Sequence, residues 1–478
     1  MRAGKYISNF IWRVFETCGT QVVAFLVSVV LARLIDPADF GTLALVSVFI
    51  SLCTILADSG FGMALVQKKD SDDLDFSSVF YFNVFMCLVL YAAIYFCSPL
   101  IAQLYNNPAL ILIIRIQSIG LVVAGVKSIQ TAYVTKHLLF KKFFFSTIGA
   151  TIVSAAVGIW MAYLGLGIWA LVAQSLVSNV IGTIILWLVV PWRPQWRFSF
   201  TRIKKLFSYG SKLLLSSLIN IGYNDLRQLI IGKVFTTTDL AFFNRGAKLP
   251  DIFNNVVSTG ANSVLMPAMA SAQDYREEVK KIVKKSIMVQ SFVLLPVFTG
   301  LAVCAKPIIC VLPTEKWLPA AQFMQIFCGI YMFECLAGTN INALKAMGFS
   351  GKTLAIECIK TPLYTLILLA MMPYGVEAIA LGSLVGCLIG VILCVIPGKK
   401  AFNYSIFQQT RDILPHIVLS AVMGICVWPI SLLGFSDIVE LALQVLVGIT
   451  VYTSLAALFK LESFSYLLGL IRTFIKKQ

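Results

Sequence analysis

The chain has 478 residues, of which 59% are hydrophobic and 13% are charged. Soluble domains carry roughly 25% charged residues, so this composition excludes a soluble globular protein. The formal net charge is +16, but no nucleic-acid-binding motif accompanies the cations, and we expect no nucleic-acid partner. Short basic loops facing anionic lipid headgroups account for this charge.

Fourteen apolar runs are long enough to cross a bilayer, which takes about 20 mostly apolar residues. The first run contains Glu16 and ends without a cleavage-site pattern, so we interpret it as a permanent helix rather than a cleaved signal. The sequence therefore predicts an all-α polytopic membrane protein with about fourteen transmembrane helices. The approximate runs are 11–35, 42–66, 77–104, 109–133, 141–163, 166–190, 212–233, 249–271, 286–311, 319–343, 353–373, 376–396, 413–433 and 437–459.

Lysine and arginine are distributed unequally among the gaps between these runs. Of the 38 such residues, 27 lie at the two termini and in every second gap, whereas the other gaps hold only Arg245, Lys248 and Lys316. This is the positive-inside pattern. It predicts a bacterial inner-membrane protein with both termini in the cytoplasm. An even number of spans is then required, which fourteen satisfies, as would twelve.

Two predicted cytoplasmic segments, 196–209 and 273–285, mix bulky apolar residues with cations. Such segments are typical of helices that lie in the membrane interface. No polar gap is long enough to form a soluble domain. The chain is therefore limited to transport, or to chemistry within the bilayer.

Weak internal matches divide the chain into two halves. Arg33 and Asp39 after the first span correspond to Lys233 and Asp239 after the seventh, 200 residues later, and two further short matches follow in the same order. We predict two six-helix lobes of the same orientation, with an accessory pair of helices, an arrangement in which transporters bind substrate between the lobes. The predicted regions are an N-terminal lobe (1–190), a cytoplasmic interfacial linker (191–211), a C-terminal lobe (212–400), and helices 13–14 with a cytoplasmic tail (401–478).

Ionisable residues inside the spans are the candidates for function, because each is costly in a bilayer unless it faces a cavity or a partner. Cations at several depths suit an anionic substrate, and arginine matches phosphate oxygens with two parallel hydrogen bonds. The candidate substrate-binding residues are Arg115, Lys127, Asp225, Arg227 and Lys360. The candidates for coupling to a proton or cation gradient are Glu16, Asp58, Glu334 and Glu357.

A structural alternative exists for each of these charges, namely an ion pair that fixes helix packing. Glu357 and Lys360 are three residues apart and can pair on one helix face, so a structural role is as well supported as a functional one. Asp225 and Arg227 are two apart and do not face each other on a helix. They need partners elsewhere.

We expect no metal site, disulfide framework or catalytic residue. The chain has twelve cysteines and two histidines without a CxxC pair. Gly351-Lys352-Thr353 resembles the end of a phosphate-binding P-loop, but Ala346 occupies the position where the motif requires glycine. We therefore expect no cofactor and no ATP site, and energy must come from gradients or from substrate flux.

Three stretches resemble the polysaccharide-type flippases of the multidrug/oligosaccharidyl-lipid/polysaccharide exporter superfamily, in particular the Wzx group with its colanic-acid-exporter-like members. They are 29–49 with the turn Pro37-Ala38-Asp39-Phe40-Gly41, 192–220, and 224–250. The resemblance implies translocation of an undecaprenyl-diphosphate-linked oligosaccharide from the cytoplasmic to the periplasmic leaflet by alternating access, for surface polysaccharide biosynthesis. It also implies a functional monomer among membrane lipids, with polymerase and glycosyltransferase partners.

Three alternatives stay open at this point. A drug or cation exporter of the same superfamily would usually have twelve spans, and a lipid II flippase would have fourteen. A membrane glycosyltransferase or polymerase would need a sizeable polar loop carrying its catalytic groups. Of the predicted outer gaps, only 234–248 approaches such a length.

Overall fold

A computed structural model describes residues 19–58, 60–68, 70–137, 139–272, 275–465 and 469. Over these ranges the chain forms helices joined by short connections, and no β-strand is present. The α-helices are α1 (Gly19–Leu34), α2 (Pro37–Asp58), α3 (Phe61–Gln67), α4 (Asp73–Leu104), α5 (Ala109–Gln117), α6 (Ile119–His137), α7 (Phe140–Tyr163), α8 (Ile168–Val189), α9 (Phe200–Val234), α10 (Thr237–Ser271), α11 (Arg276–Val303), α12 (Ala305–Val311), α13 (Ala320–Ala346), α14 (Ser350–Met371), α15 (Val376–Phe402), α16 (Ile406–Val427) and α17 (Asp437–Leu458).

Eleven helical segments in the described residues are long and apolar enough to cross a membrane, so the protein is a multi-pass membrane protein. Helices also occupy the other three predicted positions. Of these, α1 is shorter than the eleven, and α9 and α10 do not meet the same criterion despite their 35 residues each. The all-α class is confirmed, while the count of fourteen spans stays a prediction.

The chain packs as two compact units, Met1–Ala241 and Phe242–Gln478. The boundary between them lies in the first turns of α10, after the predicted linker 191–211. It is a division by packing and does not test the repeat. The two six-helix lobes with an accessory pair therefore stay a prediction.

The two amphipathic segments differ from the prediction of separate interfacial helices. Most of 196–209 forms the first turns of α9, and 276–285 forms the first turns of α11. No proline separates either segment from the span that follows it, and a single glycine, Gly210, follows the first segment. Propagating an existing helix adds one hydrogen bond per residue, whereas a new helix needs a costly nucleus.

The first turns of α9 are anchored to α4 by a cluster of charges. The carboxylate of Asp75 is fully buried and pairs with Lys68 and with Arg202, whose Nη1 lies 3.0 Å from Asp75 Oδ1. Arg202 also reaches Asp72 at 3.2 Å. Asp72 and Asp75 form a reciprocal capping box at the start of α4, which satisfies backbone N–H groups of its first turn.

Two glycines in the resemblance-bearing stretches, Gly41 and Gly246, lie where two backbones approach closely. A Cβ atom at Gly41 would overlap the carbonyl oxygen of Thr237. A Cβ atom at Gly246 on α10 would lie 2.7 Å from the Met324 nitrogen and 2.8 Å from the Ala320 carbonyl oxygen on α13. Only glycine therefore fits at either position without moving a helix.

We expect Gly246→Ala to destabilise the protein by about 1–3 kcal/mol, the usual cost of overpacking. The added methyl group meets backbone atoms, which cannot rotate away as a side chain can. The measurement is the unfolding temperature of the purified protein in detergent.

Gly338→Ala is the matched control, because a Cβ atom at this α13 glycine meets nothing within 4 Å. Its unfolding temperature should be unchanged or raised, since alanine favours a helix over glycine by about 1 kcal/mol. Equal unfolding temperatures for the two variants would contradict the close contact of α10 with α13.

Candidate functional site

Arg115 lies on α5 and contacts two residues of α4. Its Nε donates a hydrogen bond to Ser98 Oγ at 3.0 Å, and its guanidinium lies 4.0 Å from the centre of the Tyr95 ring. The side chain is only half-buried, and no hydrogen bond joins its Nη groups to another residue of the described chain. Arg115 is therefore fixed in place while its terminal donors stay available to an anion.

Lys127 lies on α6, which is separated from α5 by a break at Ser118 rather than continuing it as one helix. Its ammonium group approaches Gly182 on α8, where an added Cβ atom would lie 3.2 Å from Lys127 Nζ. Gly182 thus provides the space that the ammonium group occupies. The sequence analysis missed this glycine, because only the fold reveals which helix faces Lys127.

Asp225 and Arg227 on α9 do not pair with each other, as their spacing predicts. Asp225 is 6% exposed and accepts a hydrogen bond from Ser51 Oγ on α2 at 3.0 Å. Among the described residues, no cation lies within ion-pair distance of its carboxylate. Arg227 Nη2 donates to Asn224 Oδ1 at 3.2 Å, and its guanidinium lies 5.5 Å from the Tyr223 ring.

Glu357 and Lys360 form the ion pair that their spacing on α14 predicts, with 3.1 Å between Lys360 Nζ and Glu357 Oε1. Lys360 also lies 5.7 Å from the centre of the Tyr364 ring. Both charged side chains are mostly buried. Among the other predicted coupling residues, Glu334 is exposed on α13, and Glu16 lies outside the described residues.

Asp58, at the end of α2, lines a small cavity of about 30 Å³ between α2, α4 and α6. Its carboxylate accepts a hydrogen bond from the backbone N–H of Gly62. Thr54, Asn83 and Ser128 contribute further oxygen atoms to the lining. A cavity of this volume holds about one water molecule or one small cation.

Asn83 is the residue that most clearly marks this cavity as polar. Its side chain is 1% exposed, and its Nδ2 donates to Ser128 Oγ at 3.1 Å. Its Oδ1 has no hydrogen-bond partner in the described part of the chain. Sequence reasoning restricted to charges missed Asn83, although an amide inside the apolar stretch Phe80–Val84 was a usable signal.

Two of the candidate carboxylates involve the same face of α2. Asp58 lies on this helix, and Asp225 accepts a hydrogen bond from its Ser51. Ser51, which binds Asp225, and Asp58 are seven residues apart, which is close to two full helical turns and about 10 Å along the axis. The structure thus associates Asp58 and Asp225 with α2, whereas Arg115 and Lys127 pack against α4 and α8. Among the described residues, no group of three His, Cys, Asp or Glu side chains is suited to a metal ion.

Comparison with known proteins gives a consistent result along the chain. The family model described as polysaccharide biosynthesis protein matches residues 30–322. The succinoglycan biosynthesis transport protein ExoT of Rhizobium meliloti (strain 1021) is 23% identical over 414 residues, covering 86% of this chain and 81% of ExoT. The lipopolysaccharide biosynthesis protein WzxC of Escherichia coli (strain K12) is 24% identical over 440 residues, covering 88% of each chain.

Solved structures share the fold. A lipid II flippase MurJ in an inward closed conformation has a TM-score of 0.77 at 14% identity, covering 94% of this chain and 98% of MurJ. An inward-facing MATE family multidrug resistance transporter of the MOP superfamily has a TM-score of 0.61 at 13% identity, covering 80% of this chain and 94% of the transporter. The resemblance seen in the sequence is confirmed: the chain belongs to the polysaccharide biosynthesis protein family and has a MurJ- and MATE-like fold.

Proposed function

We propose that this protein is a flippase that moves undecaprenyl-diphosphate-linked oligosaccharide units from the cytoplasmic to the periplasmic leaflet for surface polysaccharide biosynthesis. The observation that carries the proposal is the similarity over 86–88% of the chain to proteins named for succinoglycan transport and lipopolysaccharide biosynthesis. The flippase works as a monomer in the bacterial inner membrane with both termini in the cytoplasm, alongside the glycosyltransferases and the polymerase of the same process.

The proposed role of the intramembrane cations is to bind the diphosphate. Arg115 is the best placed, since Tyr95 and Ser98 hold it while its Nη donors face no partner among the described residues. Arg227 and Lys127 add positive charge, and Asp225 accepts hydrogen bonds from sugar hydroxyls or neighbouring side chains. Lys360, which lies in the second unit, is paired with Glu357, so a phosphate group would have to displace that carboxylate in order to bind it.

No covalent bond changes in this process, so no catalytic group or cofactor is required. Binding neutralises the diphosphate, which lowers the cost of moving its charge into a low-dielectric region. The polyprenyl tail stays in the lipid while the sugar crosses inside the protein. Alternating access then exposes the bound headgroup to the second leaflet.

We further propose that Asp58 is the coupling carboxylate. Among the candidates that lie in the described part of the chain, Asp58 lines a cavity that also holds the buried amide oxygen of Asn83, which has no partner among the described residues. A proton or a small monovalent cation could bind there. Its binding would change the charge on α2, the helix whose Ser51 donates a hydrogen bond to Asp225 of α9.

A lipid II flippase is the second candidate, favoured by the fold shared with MurJ. Lipid II also carries a polyprenyl diphosphate, so the same cations would serve. A drug exporter would also fit the fold shared with the MATE transporter. Its transport function would not require intramembrane cations that bind a diphosphate.

We expect the double variant Arg115→Gln, Arg227→Gln to lower translocation of the lipid-linked oligosaccharide at least about tenfold, because each lost charge-assisted hydrogen bond is worth about 1.5–3 kcal/mol. The measurement is headgroup accessibility in proteoliposomes, together with surface polysaccharide in cells. Membrane abundance should not change. Lys400→Gln, which removes an exposed cation, is the control. Wild-type export by the double variant would refute the site assignment.

The substrate is tested by the same proteoliposomes loaded in parallel with lipid II and with the undecaprenyl-diphosphate-linked oligosaccharide. We expect translocation of the oligosaccharide-linked lipid and little of lipid II, because the relatives named for polysaccharide synthesis cover the chain. Preference for lipid II would replace the main proposal with the second candidate. If neither lipid is translocated and organic cations are transported instead, the protein is a drug or cation exporter.

Coupling is tested with Asp58→Asn, which keeps the side-chain shape but removes the charge. Wild-type translocation should depend on a sodium or a proton gradient, and the variant should lose that dependence while still binding substrate. Asp437→Asn, at an exposed carboxylate at the start of α17, should behave as wild type. A variant with unaltered gradient dependence would exclude Asp58 from coupling.

A further inference from the structure

A second, larger cavity lies within the unit Phe242–Gln478, at the first turns of α11. Its volume is about 380 Å³, and its polar lining consists of Lys281, Lys284, Lys285, Glu462 and Ser463. None of these residues belongs to the proposed substrate or coupling sites. The cavity therefore needs an explanation of its own.

The α11 residues of this lining share one helix face. Lys281, Lys284, Lys285 and Met288 follow the i, i+3, i+4, i+7 spacing that brings side chains together. Three ammonium groups thus lie at the start of the helix, and the apolar side chains of Met288 and Val289 lie about one turn further along the span. The cavity is cationic at one end and apolar at the other.

Lys284 is held by the protein itself. Its Nζ lies 2.9 Å from Asp412 Oδ1, and Asp412 Oδ2 accepts a hydrogen bond from Tyr404 at 2.7 Å. Burial, followed by the neighbouring Asp412, raises the pKa of Tyr404, which stays protonated as the donor. Lys281, by contrast, makes no ion pair or hydrogen bond with another residue of the described chain.

Ser463 gives an independent indication of a ligand. Its side chain is 3% exposed and lines the cavity, yet its Oγ has no hydrogen-bond partner among the described residues. Buried hydroxyl groups are rarely left without a partner. A hydroxyl can donate to a phosphate oxygen. Because Lys284 is already paired with Asp412, the positive charge of the lining comes from Lys281 and Lys285, which together outweigh the single carboxylate of Glu462.

We infer that this cavity binds the phosphate headgroup of an anionic phospholipid. Lys281 and Lys285 neutralise the phosphate, Ser463 donates a hydrogen bond to it, and Met288 and Val289 contact the start of the acyl chains. The apolar wall favours a lipid over a free phosphate ion. The position at the end of a membrane-spanning helix, in the lysine-rich gap predicted to face the cytoplasm, matches the depth of anionic headgroups.

This inference concerns a resident lipid rather than the transported one, and it stands even if the proposed substrate is wrong. The test uses the full chain purified in detergent. Native mass spectrometry and thermal unfolding are recorded with added phosphatidylglycerol, with phosphatidylcholine and with inorganic phosphate. We expect phosphatidylglycerol to be retained and to raise the unfolding temperature, with much smaller effects from the other two.

The double variant Lys281→Gln, Lys285→Gln should weaken phosphatidylglycerol binding at least about tenfold, because two charged donors to the phosphate are lost. Ser463→Ala should weaken it several-fold. The matched control is Lys399→Gln, Lys400→Gln, which removes two exposed cations from α15. All the substituted lysines are exposed, so the variants should fold, and their unfolding temperatures without lipid check this.

Three results would overturn the inference. The first is unchanged phosphatidylglycerol binding by the double variant. The second is equal binding of phosphatidylcholine, which would remove the requirement for a net negative headgroup. The third is an equal effect of inorganic phosphate, which would make the site one for a free anion.

Discussion

The buried charge of Asp75 is the constraint on which one end of the first unit depends. A carboxylate without exposed surface must be paired, because an isolated buried charge is strongly destabilising. Lys68 and Arg202 supply that pairing from the connection before α4 and from α9. Lys136 on α6 donates to the Lys68 carbonyl oxygen at 2.9 Å. One carboxylate thus fixes the starts of α4 and α9 and the end of α6.

Part of this charge cluster, the pair Asp72 and Asp75, is local in the sequence. The backbone N–H of Asp75, and then the charge of Arg202, hold the pKa of Asp72 below its usual range, so Asp72 stays ionised as the cap of α4. An aspartate three residues before another, at the start of an apolar run, is a recognisable capping pattern. The partner Arg202 is not recognisable in this way, because it comes from a helix 127 residues further along the chain.

This difference between local and distant contacts explains which features of the fold and of the candidate site could be predicted from the sequence. The apolar runs predicted the helices well, since a bilayer sets their length, and the pairing of Glu357 with Lys360 followed from spacing on one helix. The partners Ser98, Ser51 and Gly182 could not be predicted, because they depend on which helices become neighbours. The continuation of two amphipathic segments into α9 and α11 was missed because composition does not show where a helix nucleates.

The residues that carried the family resemblance turn out to shape the packing. Asp39 accepts a hydrogen bond from the backbone N–H of Ile168 at the start of α8, and Gly41 and Gly246 permit close backbone contacts. Such requirements belong to the fold and not to a particular sugar. They therefore give no information about which sugar the protein transports.

Four of the described carboxylates differ in the groups that hold their charge. Glu357 and Asp412 are neutralised by Lys360 and Lys284, so their charge is fixed by a permanent partner. Asp58 and Asp225 instead accept hydrogen bonds from neutral groups, a backbone N–H and the Ser51 hydroxyl. A carboxylate held by neutral donors keeps its negative charge available to a proton or a mobile cation. Both such carboxylates are connected to α2, so a change of charge at either one would act on the same helix.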